Sequence, residues 1–118
     1  MNEQDEALKQ FKEIHEDKIA TINCRDYVLT AFSHAQRLKV FAFFTHVQAD
    51  LARGDFWFLQ GKEWSDVQKV IENAVTYDGV LLSKRRDHWD EFPEDFILFI
   101  GAMLGAISYP FLRGVRGG

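Results

Sequence analysis

The chain has 118 residues, enough for one hydrophobic core and too few to divide comfortably into two domains. It is 47% hydrophobic, with eleven Phe and three Trp, which excludes the weakly apolar, highly charged balance of a disordered chain. A net charge of −4 leaves no overall basic field, so nucleic acid is not an expected partner.

In chain order, residues 3 to 16 place Ala7, Leu8, Phe11 and Ile14 at helical spacing among Glu, Lys and Gln. This predicts an N-terminal amphipathic helix within residues 1–17. The start "MNEQDEALKQ" is acidic where a signal peptide would be basic and then apolar, and the only cysteine, Cys24, has no internal disulfide partner. Both features make the cytoplasm the expected location. Cys24 also lacks a neighbouring base in sequence, so it reads as an inert thiol.

"KIATINCRDYVLTAF" sets β-branched and aromatic residues on both sides of the polar cluster Asn23 to Asp26, the pattern of a hairpin. Ser33 and Gln36 then fit a capping box, predicting a helix that starts there. Along it Val40, Phe41, Phe44, Val47 and Leu51 recur at intervals of three and four, and Gly54 is placed to end it.

"DFWFLQGKEW" is a dense aromatic cluster without a clear period. Ser65 and Gln68 repeat the capping-box pattern ahead of Val67, Val70, Ile71 and Ala74, predicting a helix from about 65 to 75. Asp78-Gly79 lies between apolar runs and marks a turn, either of a small hairpin or of a tight connection.

Pro93 suits the first turn of a final helix, with Glu94 and Asp95 complementing its positive end. Pro110 is expected to end that helix, because it has no N–H for the hydrogen-bond ladder. The segment between them, "FILFIGAMLGAISYPFL" at residues 96–112, has no charge over seventeen residues. A bilayer core of about 30 Å needs about 20 apolar residues in helix. The segment is therefore marginal as a membrane span, although Gly101 and Gly105 fit a G-x-x-x-G helix-pairing motif. The aromatic and aliphatic faces elsewhere in the chain need a partner, and an all-round apolar helix is what a core helix looks like. The prediction is a mainly α, single domain over 1–118. It has about four helices, one or two short β-hairpins (an α+β arrangement being the alternative) and a flexible tail at 113–118.

Of the four histidines, none pairs with another at i, i+4, so no zinc site is legible and no metal or cofactor is expected. His88 with Asp87, Asp90 and Glu91 is the one cluster able to ligate a metal or run acid–base chemistry, and a solvated helix-entry patch explains the same residues. Lys84, Arg85 and Arg86 sit beside acidic residues and read as a mixed solvated face. No catalytic residue is assigned and no enzyme is expected.

The C-terminal half, "VTYDGVLLSKRRDHWDEFPEDFILFIGAMLGAISYPF", resembles the tail assembly chaperones of long-tailed bacteriophages. The pattern consists of a "TFDG…LS" phrase, a His-aromatic pair, an acidic-Pro step and a closing helix ending in Pro-Phe. It falls here on Thr76, Tyr77, Asp78, Gly79, Leu82, Ser83, His88, Trp89, Pro93, Pro110 and Phe111. The resemblance implies a small, mostly helical, non-enzymatic protein of the host bacterial cytoplasm. Such a protein binds the tape measure protein, keeps it soluble and helps recruit tail tube subunits. It also implies that two product lengths, generated by ribosomal frameshifting, are common in the family.

A chaperone of this kind needs an apolar groove or a self-associating apolar face. Phe56, Trp57, Phe58 and Trp64 are the candidate partner-binding surface, the alternative for each being a place in the domain's own core. Two other functions remain open on the sequence: a small membrane-associated protein anchored by residues 96–112, and a metal or enzyme protein centred on His88.

Overall fold

The structure is a computed structural model that describes residues 3–115. Among the described residues the chain forms five α-helices and one four-stranded antiparallel sheet, a mainly α domain with β-hairpins. The elements in order are α1 (Glu3–Asp17), β1 (Ile19–Ile22), β2 (Arg25–Leu29), α2 (His34–Ala52), α3 (Lys62–Glu72), β3 (Val75–Tyr77), β4 (Val80–Leu81), α4 (His88–Glu91) and α5 (Pro93–Val115). Two short 3-10 turns, Trp57–Gln60 and Leu82–Lys84, precede α3 and α4.

Each hairpin closes through a two-residue loop with both residues at positive φ, Asn23 and Cys24 in the first, Asp78 and Gly79 in the second. That backbone matches the right-handed twist of the strands, and Asn, Asp and Gly tolerate it best. The hairpins do not stay separate: β2 pairs with β3, Tyr27 opposite Tyr77 and Leu29 opposite Val75, giving the order β1-β2-β3-β4.

The capping box at Ser33 is formed as expected. The Ser33 Oγ accepts from the Gln36 N–H at 3.1 Å, and the Gln36 side chain accepts from the Ser33 N–H at 2.8 Å. At the far end of α2 Gly54 takes φ +74, the left-handed position that terminates helices. Pro93 opens α5.

Three expectations are corrected. The second Ser-x-x-Gln is not a cap: α3 begins at Lys62 after Gly61, and Ser65 lies inside it with its N–H on the Gly61 carbonyl. Starting three residues earlier puts Trp64 in line with Val67 and Ile71 on the buried face. Pro110 does not end α5, which runs on to Val115; the Arg37 guanidinium donates to the Ile107 carbonyl at 2.7 Å in the turn before the proline. Residues 113–115 of the expected flexible tail therefore continue the helix, and 116–118 lie outside the described residues.

The core lies where α5 crosses α1, α2 and the sheet. Phe99, Ile100, Met103, Leu104 and Ile107 of α5 are fully buried, with Val40 and Val47 of α2 and Tyr27 of β2. By length and composition α5 could span a bilayer, yet just over half of its most apolar stretch is buried inside the domain. Ile97 and Leu98, near its start, are exposed.

Candidate functional site

The aromatic cluster before α3 divides into two layers. Phe58 and Trp64 are buried, their rings meeting Phe43 of α2 at centroid distances of 5.5 and 5.8 Å, so they are core side chains that reach the surface only at the bottom of a depression. Phe56 is half-buried against the same cluster. Trp57 points out, 58% exposed, the highest exposure of any large apolar side chain among the described residues.

A short 3-10 turn gives successive side chains different directions, which is why Trp57 and Phe58 part company. Trp57 is nevertheless held in place. Its indole N–H donates to Asp50 Oδ2 at 2.9 Å, and Asp50 is itself paired with Arg53 at the end of α2. An exposed aromatic ring fixed by a hydrogen bond loses little conformational freedom when something packs on it.

Trp57 stands beside a trench between α2 and α3. Two adjoining depressions of about 320 and 290 Å³ share Phe43, His46 and Glu63, and the second is also lined by Trp57, Gly61 and Lys62 above the buried Phe58 and Trp64. One wall is a single face of α2, Lys39, Ala42, Phe43 and His46 at intervals of three, one and three. The other is Glu63, Asp66 and Val67 of α3. Phe43 and Val67 are buried and make the floor, while Lys39, His46 and Glu63 are exposed on the rims. The sequence reading missed these wall residues, although their spacing of three and four was the available signal.

A second, polar cluster is built around a buried carboxylate at the start of α5. Asp95 is 0% exposed and accepts from Asn23 Nδ2 at 2.8 Å, Arg25 Nη1 at 3.0 Å and the Tyr27 hydroxyl at 2.7 Å. Burial alone would raise the Asp95 carboxyl, but the hydrogen bonds from Asn23, Tyr27 and Arg25 outweigh it and hold the group below the ordinary carboxylate value. Read from sequence as a helix-dipole partner, Asp95 is in fact the pin that fastens the first hairpin to α5.

Tyr27 has one proton and gives it to Asp95, so its 2.8 Å contact with His88 Nε2 requires an N–H on that nitrogen. His88 Nδ1 is then the acceptor for Arg85 Nε at 3.4 Å. Burial lowers the His88 pKa and the nearby Arg85 charge lowers it further, in keeping with a neutral ring. Burial, then the bond to Asp95, raises that of Tyr27. His88 is boxed by Tyr77, Trp89 and Phe92 with centroids 4.6 to 5.2 Å away, so it is not part of a solvated patch as expected. Among the described residues no group of three or more His, Cys, Asp or Glu is placed to hold a metal.

The residues that carry the family resemblance fall into two groups. Tyr77, His88 and Trp89 surround Tyr27, the Asp78-Gly79 turn sits beside them, and Pro93 starts α5 two residues before Asp95. Thr76 and Leu82 extend this group, Thr76 pairing with Leu81 across β3 and β4 and Leu82 buried; Ser83 is exposed. Pro110 and Phe111 lie at the other end of α5, where the Phe111 ring meets Phe41 of α2 in a tilted contact at 4.8 Å. None of them lines the trench. Comparison with protein-family models, with curated proteins and with solved structures finds no match.

Proposed function

We propose that the chain is a phage tail assembly chaperone, a non-enzymatic protein that binds the tape measure protein in the host cytoplasm, keeps it soluble and helps recruit tail tube subunits. The observation that carries this reading is Trp57, a large apolar ring held in place on the surface beside an apolar-floored trench. Aromatic anchors of this kind supply a large part of protein–protein binding energy. The sequence resemblance supplies the identity of the partner. Most of its pattern residues gather around Tyr27 or pack the end of α5, which is what a shared fold would require of them.

The His88-centred reading is less favoured because the ring is sealed in an aromatic box with both nitrogens engaged. The membrane reading keeps one specific observation, the exposed pair Ile97 and Leu98 on a helix long enough to span.

The test is co-expression with the large helix-rich protein encoded just downstream. The chaperone reading expects that protein to become soluble and to co-purify with this chain. If the chain instead fractionates with membranes and the large protein stays insoluble, the anchor reading replaces it.

A further inference from the structure

The trench between α2 and α3 carries charge of opposite sign on its two walls. Lys39 stands on the α2 wall beside the imidazole of His46; Glu63 and Asp66 stand on the α3 wall and leave it net acidic, with Lys62 at its Trp57 end. Among the described residues none of Lys39, Glu63 and Asp66 forms an ion pair within 4.0 Å, so the two walls do not neutralise each other across the gap. The floor is apolar, from Phe43 and Val67, and Trp57 lines one of the two depressions.

Both walls are helices, and their backbone N–H and C=O groups are already paired along each helix. An extended peptide laid here would find no strand edge on which to satisfy its own backbone. A helix satisfies its backbone internally and lays an apolar stripe into such a groove through residues at i, i+3, i+4 and i+7.

We infer that the trench receives one amphipathic helix of a partner protein, its apolar stripe on Phe43, Val67 and Trp57, its acidic flank along Lys39, and its basic flank along Glu63 and Asp66. This deepens the chaperone reading and rests on it only for the partner's identity. A helix flanked by acid on both sides would meet Glu63 and Asp66, and one flanked by base on both sides would meet Lys39. The trench therefore selects mixed flanks, and like-charge contact is what rejects the others.

The experiment measures fluorescence anisotropy of three labelled synthetic helices with the same Leu stripe and with flanks that are mixed, all Glu or all Lys. The mixed helix is expected to bind the intact chain about tenfold or more tighter than either uniform one. Trp57→Ala should weaken it by about tenfold or more. Glu63→Lys with Asp66→Lys makes both walls basic and should transfer the preference to the all-Glu helix. Lys12→Glu on α1, away from the trench, should change nothing, and circular dichroism confirms that each variant is folded. Equal affinity for the three helices, no binding, or indifference to Trp57→Ala and the wall reversal would overturn the proposal. So would a dimer of the chain alone that Trp57→Ala dissolves, since a second copy would then fill the trench.

The two proposals fail separately. If the wall-reversed chain still solubilises the large protein, the trench is not the site and the chaperone reading stands. If the mixed helix binds as expected and the unaltered chain solubilises nothing, the trench stands and the tail-assembly reading falls.

Discussion

The ring of Phe11 occupies the space that a side chain at Gly105 would need, so α1 rests on α5 at a point where α5 has no Cβ. Gly101, four residues earlier on the same helix, has open space around its Cβ position. The two glycines of the G-x-x-x-G pattern thus differ in what they do: one seats a neighbouring helix and the other does not. Gly105→Leu is expected to destabilise the domain by about 1 to 3 kcal/mol through overpacking. Gly101→Ala should stabilise it by up to about 1 kcal/mol, because Ala is the better helix former. Urea titration of the two variants reads both signs, and equal behaviour would mean that α1 does not sit on Gly105.

Asp95 joins residues about seventy positions apart, and its loss should be felt in proportion. Asp95→Asn leaves the buried Tyr27 hydroxyl without its ionised acceptor, while the partly exposed Arg25 keeps Glu94 at 3.4 Å, for an expected cost of about 1 to 3 kcal/mol. The folded-state pKa of Asp95 lies below the ordinary aspartate value of 3.8. Its contribution is therefore fully present above the unfolded pKa and is lost as pH falls through the folded one. Acid unfolding followed by circular dichroism should show a steep loss below pH 3.8 in the unaltered chain, and a shallower one in Asp95→Asn.

His88 contributes at higher pH. Its folded pKa is lowered from 6.5, by burial first and by Arg85 second, so its neutral form belongs to the folded state. The stability it gives is complete above pH 6.5 and drains away as pH falls through the folded pKa. His15 shifts the same way, through burial and the charges of Lys18, Arg37 and Arg113. Stability measured by denaturant titration should therefore fall below pH 6.5, and His88→Gln should flatten that slope while leaving the part due to His15. Nitrogen NMR should find His88 protonated on Nε2 and bare on Nδ1; the opposite tautomer would break the assigned chain from Arg85 to Asp95.

Two copies of one motif, Ser33 to Gln36 and Ser65 to Gln68, separate what the sequence can and cannot say. At Ser33 nothing upstream competes for the role, and the cap forms. At Ser65 burial of Trp64 on the same face as Val67 and Ile71 draws the helix start back to Lys62, and packing overrides the local signal. Ser33→Ala should cost about 1 kcal/mol, the usual value for a lost N-cap. Ser65→Ala should be neutral or slightly stabilising, since Ala is the better interior residue. Thermal denaturation of both variants decides it: a loss at Ser65 as large as at Ser33 would restore the second cap.

The same division runs through the rest of the molecule. Hairpin turns, helix periods and the Pro93 start depend on neighbours within a few residues, and these were legible. The joining of two hairpins by Tyr27 and Tyr77 depends on residues fifty positions apart, and no local pattern records it. Asp95 looked like a helix-end charge because the sequence does not show that Asn23, Arg25 and Tyr27 converge on it. Within Phe56, Trp57 and Phe58 the exposed ring could not be chosen in advance, because three adjacent aromatics have no period until the 3-10 turn assigns their directions.

Pro110 gives the final prediction. A proline inside a helix removes one ladder hydrogen bond and presses its ring on the carbonyl four residues back, and α5 nonetheless continues past it. Arg37 of α2 donates to the Ile107 carbonyl, in the turn that the proline disturbs. If that bond offsets the proline, the two residues are coupled. Arg37→Met should cost about 1.5 to 3 kcal/mol in the unaltered chain, as expected for a hydrogen bond from a charged donor. With Pro110→Ala in place the regular ladder is restored, and the same Arg37→Met change should cost about 1 kcal/mol less. A double-mutant cycle by denaturant titration measures the difference. An additive cycle would make Arg37 an ordinary contact between α2 and α5, and the tolerance of Pro110 would then belong to the surrounding packing alone.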